Sequence, residues 1–191
     1  MTGRAQPGRA DPEPLVWNVA GLLGEGIGAQ RDYAFENVDV DPGEGLQLAS
    51  PVSGKLRLAR TNRGLLLDGE IHTSLATECA RCLRALTIPL DLEIHDEALP
   101  SIDLHTGAPV ALSPEDEELG VLRLTDHHEL DLEPAIREAI QLNEPIAPLD
   151  REDCPGLCVV CGLPLDEGTH DHPDEEIDPR LEALKAFRPT E

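Results

Sequence analysis

Residues 65–97 read LLLDGEIHTSLATECARCLRALTIPLDLEIHDE, and this stretch decides the fold. Leu65, Leu67, Ile71, Thr73, Leu75 and Thr77 fall on one side of an extended chain, and Asp68, Glu70, His72, Ser74 and Glu78 fall on the other. After Cys79-Ala-Arg-Cys82 the alternation resumes, with Leu86, Ile88, Leu90, Leu92 and Ile94 inward and Thr87, Asp91, Glu93 and His95 outward. A period of two sustained this long specifies antiparallel strands with one face in water. Upstream, Leu56 and Leu58 alternate with Lys55 and Arg57, and Thr61-Asn62-Arg63-Gly64 supplies the turn into the quoted stretch. The sheet therefore spans at least residues 52–97.

Outward from the sheet the patterns change. Residues 1–14 hold three prolines and two glycines without apolar periodicity, which predicts disorder. Val16-Trp17-Asn18-Val19 and Tyr33-Ala34-Phe35 fit short strands separated by a glycine-rich loop at 21–28, which lacks the spacing of a phosphate cradle. Residues 96–120, ending in Glu115-Asp116-Glu117-Glu118, read as an acidic solvated loop, and 121–125 as a return to the sheet. Asp131 reads as the cap of a helix carrying Leu132, Ile136, Ala139 and Ile140, stopped by Pro145 and Pro148. A second short helix is expected after Asp178-Pro179, with Leu181, Leu184 and Phe187 on one stripe. The fold class is α+β: an antiparallel β-sheet, two short helices and a zinc-knuckle C-terminal segment. Residues 15–150 form a β-rich domain and residues 151–191 a cysteine- and histidine-rich segment with the terminal helix.

Composition narrows the function. The chain has 191 residues, 40% hydrophobic but only 2% aromatic, so its core is built from Leu, Ile, Val and Ala. Such a core buries less area per residue, and a covalent or metal staple would help it. A net charge of −23 repels polyanions and attracts basic partners. No apolar run approaches the ~20 residues that span a bilayer, and the N-terminus has no signal-type apolar stretch, so a cytoplasmic protein is expected. Against this charge, Lys55, Arg57, Arg60, Arg63, Arg81 and Arg84 outnumber Asp68, Glu70 and Glu78 between residues 55 and 84. They are candidate contacts to rRNA, and equally the ordinary charges of strand edges.

Chemistry is concentrated in the cysteines. Five of them, in a reducing compartment, favour metal ligation over disulfides. Cys79-Ala-Arg-Cys82 and Cys154-Pro-Gly-Leu-Cys158-Val-Val-Cys161-Gly162 contain two CxxC units, the common way to present four thiolates to zinc. On one partition Cys79, Cys82, Cys158 and Cys161 share an ion, with Cys154, His170 and His172 as alternates. On another, Cys158, Cys161, His170 and His172 form a local site, leaving Cys79 and Cys82 to Cys154 and an oxygen ligand such as Asp150. The redox alternative wants a CxxC at a helix N-terminus in a βαβ setting, which the strand before Cys79 does not offer. The pattern of a zinc hydrolase or deaminase is absent: His127-His128-Glu129 precedes Cys154-Pro155 in the wrong order, and neither HExxH nor GxSxG occurs. No catalytic residue is expected, and the zinc is structural.

At these residues the sequence resembles the YceD family, the proteins named for large ribosomal RNA subunit accumulation. The matching pieces are Cys79-Ala-Arg-Cys82-Leu83, Cys154-Pro-Gly-Leu-Cys158-Val-Val-Cys161-Gly162, and Ile177-Asp178-Pro179-Arg180-Leu181 ahead of the terminal helix. Related members often carry C-x-C where this chain has His170-Asp171-His172, and another cysteine near Asp150; both departures keep side chains able to bind metal. The resemblance implies a non-catalytic role in accumulation of 23S rRNA. It also implies kinship with a small large-subunit ribosomal protein, making such a protein, an assembly intermediate or 23S rRNA itself the expected partner.

Overall fold

A computed structural model describes residues 15–172 and Arg180. Ten elements follow one another: β1 (Val16–Asn18), α1 (Ala20–Leu23), β2 (Gln30–Val38), β3 (Gln47–Arg60), β4 (Leu65–Glu78), β5 (Ala85–Leu99), α2 (Pro114–Leu119), β6 (Leu122–Arg123), β7 (Glu129–Asp131) and α3 (Glu133–Leu142). β2 to β6 form a five-stranded sheet in sequence order, and β1 pairs with β7 in a separate two-stranded ladder.

The period-two pattern is realised as two long hairpins. β3 pairs antiparallel with β4 from Gln47↔Ala76 to Arg60↔Leu65, and β4 with β5 from Leu65↔Ala98 to Glu78↔Ala85. Leu56, Leu58, Leu65, Leu67, Ile71, Leu75, Leu92 and Ile94 all lie buried on one side. The other side is wet and carries a charged row across four strands, Asp32, Arg57, Asp68 and His95, each opposite the next in the ladder. Arg57 Nε donates to Asp32 at 2.8 Å and His95 Nδ1 lies 2.8 Å from Asp68. Opposite signs placed directly across strands favour this register over a one-residue slip.

The apolar side is roofed by the rest of the chain. Leu15, Val19, Leu22, Leu130, Leu132, Ile136 and Ile140 join the sheet residues in one continuous core. Ala135, Ile136 and Ile140 form the buried stripe of α3, and Pro134 sits in its first turn, where a missing N–H costs nothing. The helix starts one residue later than its cap residue suggests. Leu132 occupies the cap position, and Asp131 instead accepts a hydrogen bond from the Glu133 amide at 3.0 Å.

Three expectations are corrected. The sheet is mixed rather than purely antiparallel, because β6 runs parallel to β5 through Ala98↔Leu122 and Leu99↔Arg123. Residues 114–119 are helical, not loop: Ser113 and Asp116 form a reciprocal capping box, Pro114 opens the helix and left-handed Gly120 closes it. The glycine-rich 21–28 stretch opens with the single turn α1. There are thus three helices among the described residues; the one expected after Pro179 lies outside them. No helix among the described residues is long and apolar enough to cross a membrane.

Candidate metal centre

The β4–β5 connection, residues 79–84, is a knuckle whose backbone hydrogen bonds define its shape. Cys79 N donates to Arg84 O at 2.8 Å, and Leu83 N donates back to Cys79 O at 3.0 Å. The segment 158–163 repeats this arrangement. Cys158 N donates to Leu163 O at 2.7 Å, and Gly162 N to Cys158 O at 2.9 Å. In both turns the residue after the second cysteine is left-handed, Leu83 at φ 58° and Gly162 at φ 71°. Two separate parts of the chain therefore fold into the same device, which aims a pair of sulfurs one way.

The same turns tune their first cysteines. Burial pushes the Cys79 thiol up, but backbone N–H groups of Cys82, Arg81 and Asp150 outweigh it and bring the group down to about 7. At Cys158 the N–H groups of Cys161 and Val160 dominate, lowering the thiol to about 6. Amides two and three residues on thus favour the thiolate in each knuckle. Cys154, hydrogen-bonded to the Asp150 carboxylate and buried, is pushed up to about 12. No two of the five cysteines are joined by a disulfide.

Two groups of donors result. Cys79, Cys82, Asp150 and Cys154 present ligand atoms all within 4.8 Å of one another, and so do Cys158, Cys161, His170 and His172. The first group is deeply set, with Cys79 at 0%, Cys82 at 4% and Cys154 at 3% exposure. Within it Cys79 Sγ lies 3.8 Å from Cys154 Sγ and 3.5 Å from Asp150 Oδ1. In the second, Cys161 Sγ lies 3.4 Å from His170 Nδ1, while His170 Nε2 donates to Pro164 O at 3.0 Å. His172 Nε2 is buried without a hydrogen-bond partner. A ring nitrogen facing a thiol while its fellow is anchored to a carbonyl is the usual setting of a metal-binding imidazole, and the orphaned nitrogen of His172 needs a partner of the same kind. The residues present fit a divalent metal. Cys79 and Cys82 are not gathered with Cys158 and Cys161 among the described residues; the chain assembles the partition with Asp150 and the two histidines.

Arginines tie the groups together. Arg84, in the first knuckle, donates to Asp150 at 3.2 Å, to Asp166 at 2.9 Å and to Glu167 at 2.8 Å. Arg81 donates to the carbonyl of Cys154 at 3.0 Å and to that of Glu152 at 3.3 Å. Asp166, held first by Arg84 and then by Arg151, is lowered to about 2. Asp166 and Glu167 escaped the sequence reading because their partner Arg84 lies 82 and 83 residues away along the chain. The remaining candidate cations lie at the far end of the hairpin and on the wet face of its strands. At the far end the Arg60 guanidinium donates to the carbonyls of Leu23, Thr61 and Gly64, and Arg63 pairs with Asp116 and Glu97. Lys55 and Arg57 stand on the wet face, Arg57 between Asp32 and Asp68. Asp116 is buried rather than part of a solvated run.

Comparison with known proteins identifies the family. Residues 67–188 match the family described as large ribosomal RNA subunit accumulation protein YceD. Uncharacterized proteins of Mycobacterium tuberculosis and Mycobacterium bovis are each 34% identical over 151 residues, covering 78% of this chain and 65% of the relative. A protein of Mycobacterium leprae is 28% identical over 136 residues, covering 70% of this chain and 58% of the relative. The match thus spans about two thirds or less of those relatives' own length. No solved structure matches. With its matched region carrying both knuckles and the histidine pair, the chain belongs to the YceD family.

Proposed function

We propose that this chain is a non-catalytic, cytoplasmic ribosome biogenesis factor that supports accumulation of large-subunit 23S rRNA by binding a basic ribosomal protein or an assembly intermediate. Its cysteines hold structural zinc. The family description supplies the link to the large ribosomal RNA. One observation carries the choice of partner: five of the six candidate RNA-contact cations, Arg57, Arg60, Arg63, Arg81 and Arg84, already serve this chain's own acids or carbonyls. Phosphate binding needs cations free to release counterions, and on a chain of −23 only Lys55 of the six makes no side-chain hydrogen bond or ion pair among the described residues.

An acidic protein can instead shield a basic ribosomal chain before it meets RNA. The contact surfaces are the exposed Glu115, Glu117 and Glu118 of α2 and the acidic stretch 171–178, most of which lies outside the described residues. Opposite potentials speed such an encounter, and added salt screens it beyond a Debye length of about 8 Å. The test titrates salt against binding to isolated basic large-subunit proteins and, in parallel, to 23S rRNA fragments. Salt-sensitive protein binding with weak RNA binding is expected. Tight RNA binding in the absence of any protein partner would instead assign the role to Lys55 and the arginines.

A further inference from the structure

We infer that the chain holds two metal ions rather than one, in two chemically different sites. The inner is a three-thiolate, one-carboxylate site of Cys79, Cys82, Cys154 and Asp150. The outer is a two-thiolate, two-imidazole site of Cys158, Cys161, His170 and His172. This rests on reading the cysteines as a zinc centre and goes beyond it in number, ligands and division of labour.

The separations match the edges of a tetrahedron. A metal–sulfur length of about 2.3 Å and a metal–oxygen length of about 2.0 Å place two sulfurs about 3.8 Å apart and a sulfur and an oxygen about 3.5 Å apart. The inner site shows 3.8 Å between Cys79 and Cys154 and 3.5 Å between Cys79 and Asp150. For sulfur and nitrogen about 3.5 Å is expected, against 3.4 Å between Cys161 and His170. A disulfide between Cys79 and Cys154 would need about 2.05 Å between the sulfurs. Each site is built on one of the two equivalent knuckles, which supplies two sulfurs in the same geometry. Residues from 150–154 complete the inner set, and the 170–172 segment completes the outer.

The charges of the two sets differ, and the surroundings follow. Three thiolates and a carboxylate around a divalent ion leave net negative charge in a buried place, which demands a compensating cation. Arg84 meets part of that demand: it touches the ligand Asp150 and also reaches Asp166 and Glu167 in the loop between the outer site's cysteines and histidines. Two thiolates and two neutral imidazoles balance a divalent ion by themselves. No cation pairs with them among the described residues, and Cys161 lies exposed. The inner ion locks residues 150–154 onto the sheet end; the outer ion shapes only its own loop.

The experiment uses the full chain, purified without chelator, with metal content by elemental analysis and native mass spectrometry. About two zinc ions per chain are expected, and about one in His172→Ala and in Asp150→Ala. Cobalt substitution then separates the sites. His172→Ala should keep thiolate-to-cobalt absorption of three-sulfur strength, and Asp150→Ala that of two sulfurs. His172 stands in the outer loop, so its variant reports even where Asp150→Ala does not fold. A single ion per chain, unaffected by His172→Ala and lost alike with Cys79→Ser and Cys158→Ser, overturns the two-site reading in favour of one four-thiolate site. A folded, metal-free protein overturns the zinc reading as well. Neither result touches the ribosomal partner, which the salt-titrated binding assay decides on the same preparation.

Discussion

Leu83 and Gly162 occupy the same place in the two knuckles, one residue past the second cysteine and in the left-handed region. There an L side chain crowds its own carbonyl by roughly 1–2 kcal/mol, which glycine avoids. Leu83 is 57% exposed and gains little by packing. Leu83→Gly is therefore expected to leave the melting midpoint unchanged or raise it by a few degrees. Gly162→Val should lower thermal stability by about 1–2 kcal/mol and speed metal loss. Calorimetry on both variants checks this, and a clear loss in Leu83→Gly would mean the leucine packs more than its exposure indicates. The cysteine pairs and the histidine pair were legible as candidate ligands because metal chemistry permits few residue types. Their partition was not, since it depends on where residues 150–154 land on the sheet. The roles of Arg81 and Arg84 were hidden for the same reason: each looked like a free cation until its distant acids and carbonyls came beside it.

At the level of elements, the β3–β4 turn makes a sharp test of the sheet. A Cβ on Gly64 would lie 2.2 Å from the carbonyl oxygen of Ala98, so β4 and β5 can meet there only through glycine. Gly64→Ala must push backbone apart at the tip where Arg60 binds the Gly64 carbonyl. A loss of about 1–3 kcal/mol is expected in denaturant unfolding, the range of overpacking changes. Ile136→Ala, emptying the buried stripe of α3, should cost about 2–5 kcal/mol by the same measurement. The long hairpins were readable because polar and apolar residues alternate without a break. The helix α2 was passed over as an acidic loop, although its start and stop were written in Ser113, Pro114, Asp116 and Gly120. Its four acids drew attention to solvation, whereas one of them, Asp116, caps the helix and binds Arg63. This pairing also sets a pH dependence. The Ser113 hydroxyl and then Arg63 hold the Asp116 carboxyl below its ordinary range, so its contribution is present at neutral pH and lost as pH falls through that lowered value. Asp116→Asn should flatten the acid limb of the stability curve and leave neutral pH as the place where the loss is greatest. The parallel pairing of β6 left no trace in the sequence, because two residues are too few for a pattern.

For the molecule as a whole, the two buried clusters are separate. The main core runs from Leu15 through the sheet to Ile140, whereas Cys79, Cys82 and Cys154 form a second cluster with Leu86 and Leu157 against it. A net charge of −23 pushes the whole chain toward expansion, and the acids of residues 150–172 add to that push in a segment that joins the smaller cluster through Cys154 and Leu157. A metal held by these groups would act as a local staple: it would oppose repulsion where apolar burial is thin, while the sheet stands on its own leucines. Removing the metal should accordingly release residues 143–172 and spare the hairpins. Arg151 is the natural reporter. Its side chain is 43% exposed, and its hold on Asp166 and Asp153 keeps the surrounding backbone in place. With a strong chelator, tryptic cleavage after Arg151 should quicken at least about tenfold, equivalent to ~1.4 kcal/mol of local opening. Far-UV circular dichroism should meanwhile keep its β signature. Raising the salt concentration should partly restore resistance to trypsin, because screening weakens the repulsion that drives the segment away. If chelation instead collapses the whole β signal, the second cluster is propping up the first, and the centre stabilises the entire fold.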